Sequence, residues 1–259
     1  MTTQHVLDDR PLVPLRAMAN KVPEVTVYFW IIKVLTTGMG ETASDLLARL
    51  LGPVPAVALG GLALVASLAV QFAVRRYVPW IYWTAIVMVS VFGTMAADVL
   101  HVGLGISYTV STPLFLTALA AVFALWYASE RTLSIHSIRT RRREAFYWAA
   151  VLATFALGTA AGDLTATGGF GYLGSVVLFA AAICVPAVAH RFTGLNAVTA
   201  FWTAYVITRP LGASLADWMA LGHARGGLGL GLGPVTLAWT VAIVCFVAYL
   251  AVSRQDAER

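Results

Sequence analysis

YFWIIKVLTTGMGETASD, residues 28–45, is followed by three segments that align with it without a gap: IYWTAIVMVSVFGTMAAD at 81–98, FYWAAVLATFALGTAAGD at 146–163 and AFWTAYVITRPLGASLAD at 200–217. Each segment ends on an aspartate: Asp45, Asp98, Asp163 and Asp217. Fifteen residues earlier stands a tryptophan (Trp30, Trp83, Trp148, Trp202), and one further back an aromatic residue (Phe29, Tyr82, Tyr147, Phe201). Five residues before each aspartate is a glycine: Gly40, Gly93, Gly158 and Gly212. Columns kept in such strict register mark an internal repeat, and the repeat governs how the rest of the chain is read.

Working outward, 59% of the 259 residues are hydrophobic, only 11% are charged, and the mean hydropathy is +0.81. That much apolar surface has no place in a water-soluble fold of this length. Eight apolar stretches, roughly 24–47, 54–74, 79–101, 112–129, 145–167, 172–189, 197–221 and 233–252, are each near the ~20 residues a bilayer-spanning helix needs. They lack the alternation of barrel strands. The expected fold is therefore an all-α integral membrane protein, eight transmembrane helices arranged as four tandem two-helix repeats. The aspartates lie 53, 65 and 54 residues apart, the longer middle step holding a basic loop. Two spans per repeat send all four copies into the membrane in the same direction. Such copies close as a pseudo-fourfold bundle or as two pseudo-twofold halves.

The first twenty residues hold Asp8, Asp9, Arg10 and Arg16 and no apolar core, so they do not read as a cleaved signal peptide. With both termini cytoplasmic, 13 of the 17 Lys and Arg residues fall on the cytoplasmic side, and only Arg49 and Arg225 fall outside. The expected layout is a cytoplasmic segment at 1–22, repeats 1 and 2 at 23–130, a basic loop at 131–143, repeats 3 and 4 at 144–253 and a cytoplasmic tail at 254–259. The run Arg139 to Arg143 is explained by anionic headgroups rather than by nucleic acid. Cys184 and Cys245 lie in different apolar spans and suggest neither a disulfide nor a zinc site.

The tryptophan, glycine and aspartate columns resemble a bacterial family of uncharacterised membrane proteins built from four tandem repeats, each with two spans and a signature tryptophan. The resemblance covers residues 22–253. It implies a multi-pass protein of the bacterial cytoplasmic (inner) membrane, and it brings no established activity.

Polarity inside the spans is confined almost wholly to the odd ones: Lys33, Glu41, Asp45, Asp98, Asp163, Arg209 and Asp217, with several threonines. An ionisable group in hydrocarbon costs at least ~2.5 kcal/mol and turns to the bundle interior. The odd spans are thus expected inside and the even spans facing lipid. At 100° per residue the tryptophan and aspartate of one repeat share a face, about 22 Å apart along the axis. The tryptophans read as an interfacial belt or packing wedge, or else as a pore constriction. The glycines read as close helix contacts or as hinges. In the fourth copy Arg209 and Pro210 precede Gly212, so this odd helix is the one expected to break.

Five interior acids against two bases leave an excess of three negative charges. Two functional readings follow. In one, Glu41 and the aspartates bind or carry a small inorganic cation, for which oxygen ligands suit magnesium, calcium or manganese. In the other, Lys33 and Arg209 lock the acids into a structural lattice, and the protein is a membrane assembly or partner-binding component. Glu41 and Asp45, one turn apart, form the only doubled carboxylate, and His101 follows Asp98 by three residues; these three are the candidate metal ligands. A bound divalent cation fits this set, no other cofactor is implied, and a homo-oligomer is compatible with the chain. His5, His136, His190 and His223 fall in tails or loops, and the glycine-rich run at 225–234 follows no strand, so neither a haem site nor a nucleotide fingerprint is indicated. No nucleophile constellation suggests an enzyme.

Overall fold

The computed structural model describes residues 20–256. His5, Asp8, Asp9, Arg10, Arg16 and Arg259 lie outside the described residues, and with them most of the segment 1–22 and the last residues of the tail.

Eight α-helices follow one another: α1 (Val27–Leu51), α2 (Pro53–Ala73), α3 (Pro79–Asp98), α4 (Tyr108–Glu130), α5 (Arg141–Thr165), α6 (Gly171–Thr193), α7 (Ala197–Ala220) and α8 (Leu232–Ser253). Among the described residues there is no strand. The starts carry local signals. Thr26, Thr140 and Asn196 accept hydrogen bonds from the backbone N–H groups of Phe29, Arg143 and Val198, and α2 and α3 begin on proline, whose missing donor is harmless in a first turn. Between α1 and α2 the chain reverses over the single residue Gly52 at φ 84°, a left-handed value that favours glycine. Single π-helical turns, Val99–Gly103 and Ala166–Phe170, extend α3 and α5.

Five helical stretches are long and apolar enough to cross a membrane: Pro53–Ala73, Pro79–Gly103, Tyr108–Glu130, Arg141–Thr193 and Leu232–Ser253, the fourth holding both α5 and α6. The chain is an all-helical membrane protein. The two helices outside this set, α1 and α7, hold the interior charges Lys33, Glu41, Asp45, Arg209 and Asp217.

Buried side chains concentrate on α1, α3, α5 and α7, whereas α2, α4 and α6 bury only a few residues each. The odd helices touch in a closed cycle, α1 on α3, α3 on α5, α5 on α7 and α7 on α1. Each even helix packs chiefly on the odd helix of the following repeat: α2 on α3, α4 on α5, α6 on α7 and, closing the cycle, α8 on α1. The contacts therefore follow a pseudo-fourfold order.

The signature glycines make this cycle. A Cβ on Gly40 would come 2.5 Å from Ser90 Cβ, on Gly93 2.6 Å from Phe155 Cβ, on Gly158 2.5 Å from Arg209 Cβ, and on Gly212 2.8 Å from Thr37 Cβ. Ser90, Phe155, Arg209 and Thr37 all stand eight residues before their own aspartates. Each glycine is thus a seat for one side chain of the next copy, repeated around the ring. The glycines are close-contact positions, not hinges.

The aromatic columns interlock by the same rule. Ring centroids of Phe29 and Trp83 lie 5.7 Å apart, Tyr82 and Trp148 5.7 Å, Tyr147 and Trp202 6.1 Å, and Phe201 and Trp30 5.7 Å. Tyr82 and Tyr147 add a hydroxyl pair at 2.5 Å across the core. The tryptophans are packing wedges between copies.

The expected break in the fourth copy does not occur: α7 runs from Ala197 to Ala220 with Pro210 inside it. Pro210 and Arg209 lie against Gly158, so packing on α5 holds the turn where the proline removes a backbone donor.

At one end of the bundle, Lys21 N–H donates to Ile138 O (3.1 Å), Tyr77 N–H to Asn20 O (3.1 Å) and Glu24 N–H to Asp256 O (2.9 Å). The segment before α1, the loops after α2 and α4 and the residues after α8 are stitched together there. This end carries most of the described Lys and Arg residues.

Candidate functional site

Arg209 comes from the middle of α7 and is fully buried. Its Nη2 donates to Glu41 Oε2 (2.7 Å) on α1, to Thr159 Oγ1 (2.7 Å) on α5 and to Thr94 Oγ1 on α3, and its Nη1 donates to Thr37 O (3.2 Å). Glu41, Thr94 and Thr159 occupy the same place in their repeats, four residues before the aspartate. One guanidinium thus gathers three copies of one register position. Thr94 Oγ1 also lies 3.3 Å from Glu41 Oε2. The fourth copy has Ala213 at that place, and its arginine fills the space a polar side chain would take.

Lys33 lies one turn of α1 nearer the aromatic layer, fully buried, its Nζ 4.0 Å from the ring centroids of both Phe155 and Tyr205. That Nζ makes no hydrogen bond among the described residues. The expectation that Lys33 neutralises an interior acid is therefore corrected: it is clasped by aromatic faces, which attract a cation through their quadrupoles. Arg209 alone pairs with an acid there.

The four aspartates lie one turn beyond the level of Glu41, and about two turns beyond Arg209, on the side away from the tryptophans. Asp217 is buried and Asp45, Asp98 and Asp163 are half-buried. None makes an ion pair among the described residues. They are close enough to one another and to Glu41 for their charges to interact. From one end to the other, the core of the ring thus reads aromatic layer, ammonium, guanidinium with Glu41, and carboxylates.

Glu41, Asp45 and His101 do not assemble as a metal set. Glu41 turns to Arg209, while His101 donates from Nδ1 to Ile106 O (2.8 Å) and stacks on Tyr108 at a centroid distance of 3.5 Å. Among the described residues no three His, Cys, Asp or Glu side chains are placed to hold a metal ion. The histidine serves the loop after α3, and its spacing from Asp98 is lost where the helix loosens into a π-helical turn.

A family model, Repeat of Unknown Function (DUF347), matches residues 28–77, 81–132, 146–195 and 200–256. The chain belongs to the DUF347 repeat family. Each matched unit begins within two residues of its tryptophan, so the family's repeat is the unit that interlocks around the ring. No curated protein and no solved structure matches the chain.

Sequence reasoning missed two polar contacts at the basic end. Glu144 is fully buried and pairs with Lys21 Nζ (2.5 Å) while accepting from Gln71 Nε2 (3.1 Å). Its only signal was an acid in a helix's first turn beside three arginines. Tyr77 donates its hydroxyl to Asp256 Oδ2. Burial pushes the Asp256 carboxyl above the usual carboxylate range and the Tyr77 phenol above its own.

Proposed function

We propose that this DUF347 protein is a membrane transporter or permeation pathway for a small cation, with the four aspartates as its proton or cation carriers. All eight helices cross the bilayer in this reading, α1, α3, α5 and α7 as an inner ring and α2, α4, α6 and α8 against lipid. Exposed aliphatic residues on the even helices, such as Val54, Leu62, Leu125, Val185 and Leu237, support that placement. The asymmetry of basic residues supports a bacterial inner-membrane orientation with both termini cytoplasmic. The observation that carries the proposal is the gathering of four aspartates at one end of the ring, none of them in a salt bridge among the described residues, with Arg49 and Arg225 acting on Asp45 only at longer range. Carboxylates are costly in such surroundings unless a proton or an ion neutralises them.

Arg209 and Lys33 narrow the mechanism. A cation leaving the aspartates along the axis meets the Arg209 guanidinium in a low-dielectric core, and the Lys33 amine beyond it. Passage requires Arg209 to part from Glu41, or requires a proton as the travelling charge. That no three-ligand set is preassembled among the described residues favours a proton or a hydrated ion over a dehydrated divalent metal.

A second reading, a non-transporting assembly protein, is favoured by the interlock of all four seams, which suits a rigid body. Reconstituted proteoliposomes under a pH or cation gradient separate the two. The transport reading expects flux above empty vesicles, lowered at least tenfold by Asp98→Asn without loss of melting temperature, because removing one of several neighbouring acids relieves repulsion. Glu41→Gln is expected to lower the melting temperature as well, since an uncompensated buried guanidinium costs about 3–5 kcal/mol. Absent flux establishes the second reading; flux that persists unchanged in Asp98→Asn removes the aspartates as the carriers.

A further inference from the structure

At the basic end a cavity of about 640 Å³ opens between α6, α7 and α1, within the range of natural ligand pockets. Its walls include Trp30, Ile183, Ala187, Ala200, Phe201 and Ala204. The repeat register explains it. Ala200 stands seventeen residues before its aspartate, where the other copies have Tyr28, Ile81 and Phe146. Tyr28 packs on Tyr249 of α8 at a centroid distance of 5.3 Å, and Phe146 stacks on Trp126 of α4 at 6.3 Å. The corresponding even helix, α6, offers Ala187 instead of a ring. Ala200 is thus the smallest residue at this register position, where two of the other copies place a ring against the neighbouring even helix.

The space is open on one side, where Ala187 and His190 are exposed, and its walls are mainly apolar, so on a membrane protein it suits an apolar guest from the bilayer. The cavity runs from Ala204, below the aromatic layer, up to Ser134, His136 and His190 in the loops of the basic end. His190 donates from Nδ1 to Leu195 O (2.6 Å), leaving Nε2 free, and Arg191 follows it in the last turn of α6. A guest with an acyl tail and an anionic head matches an apolar shaft with His190 at its rim and Arg191 next to it in the chain, outside the lining; His136, also in the lining, lies against Glu24.

We propose that this seam binds one anionic phospholipid, its acyl chain in the space left by Ala200 and its phosphate at His190 and Arg191. The site is independent of the aspartate end.

The test is native mass spectrometry of the full chain in mild detergent with added phosphatidylglycerol or phosphatidylcholine. The wild type is expected to retain one phosphatidylglycerol, at least threefold more often than phosphatidylcholine. Ala200→Phe, which restores the ring found in the third copy, is expected to lose that lipid while keeping or raising its melting temperature. Ala187→Leu fills the space from the opposite wall and is the variant to use if Ala200→Phe fails to fold. Phosphatidylglycerol retained by a folded cavity-filling variant as well as by the wild type overturns the seam as the site. Equal retention of the two lipids overturns the assignment of an anionic head.

Discussion

At Lys33 the chain holds a buried side-chain amine between the rings of Phe155 and Tyr205, with no carboxylate in ion-pair reach among the described residues. Two desolvated cation–π contacts recover about 2 kcal/mol each, while removing an unpaired ammonium from water costs several kcal/mol. A methionine of similar length, soft against aromatic faces, gives up the first term and escapes the second. Lys33→Met is therefore expected to raise the melting temperature, by an amount corresponding to about 1–2 kcal/mol, and to lower proteoliposome flux; a lower melting temperature would show that the aromatic clasp holds the fold. The charges themselves were plain in the sequence, because Lys33 and Arg209 interrupt apolar runs. Their partners were not. Arg209 reaches Glu41 across the seam between α7 and α1, 168 residues away in the chain, and the choice of Glu41 over four aspartates depends on which turn of α1 faces α7.

Between elements, the contact distances make the glycine column testable. A methyl on Gly158 meets Arg209 Cβ at 2.5 Å, and a Cβ rides on its backbone, so no rotamer change relieves the overlap. Gly158→Ala is expected to destabilise the bundle by about 1–3 kcal/mol, as overpacking does. Gly233→Ala in α8 meets nothing within 4 Å and is expected to be neutral or to stabilise by up to about 1 kcal/mol through helix propensity. Equal melting temperatures for the two variants would remove the close-contact role. The tether from Asp256 to Tyr77 makes a pH prediction. Burial raises the Asp256 carboxyl, so the folded chain holds this proton at higher pH than the unfolded chain does. Its contribution is full below the ordinary carboxylate range and is lost as pH rises through the raised value. Melting temperatures measured between about pH 4 and 8 should fall on the alkaline side by less in Asp256→Asn than in the wild type. The existence of the helices was legible from apolar run length alone. Their ends were not: the expected span at 112–129 begins four residues after the observed start of α4, because the first turn, Tyr108 to Ser111, is largely polar and falls outside an apolar run even though Ser107 is a favourable N-cap.

Over the whole molecule, the gapless columns announced four equivalent units, yet not how they close. The pairing of each −16 aromatic with the tryptophan of the next copy exists only once the helices are ordered α1, α3, α5, α7 around a ring. Periodicity within a single span holds no record of that order. Cyclic closure has a consequence for connectivity, since the seam between repeats 4 and 1 is built from the same contacts as the other three. No covalent link between successive repeats is then special, provided each helix keeps its direction. Glu24 N–H bonds to Asp256 O at 2.9 Å, and Tyr77 bonds both Asn20 O, through its N–H, and the Asp256 carboxyl, through its hydroxyl, so residues 20 and 256 come within reach of a short linker. Opening the chain in the loop at 131–140 leaves two spans in every repeat, and insertion still begins from the same side of the membrane. Adding a linker of a few residues costs little loop-closure entropy. A permutant running from α5 through α8 and on to α1 through α4 is expected to insert, to purify as the same species and to melt within about 4 °C of the wild type. Failure to insert, or a melting temperature far below that, would show that the two halves hold together through the 131–140 loop rather than through four equivalent seams.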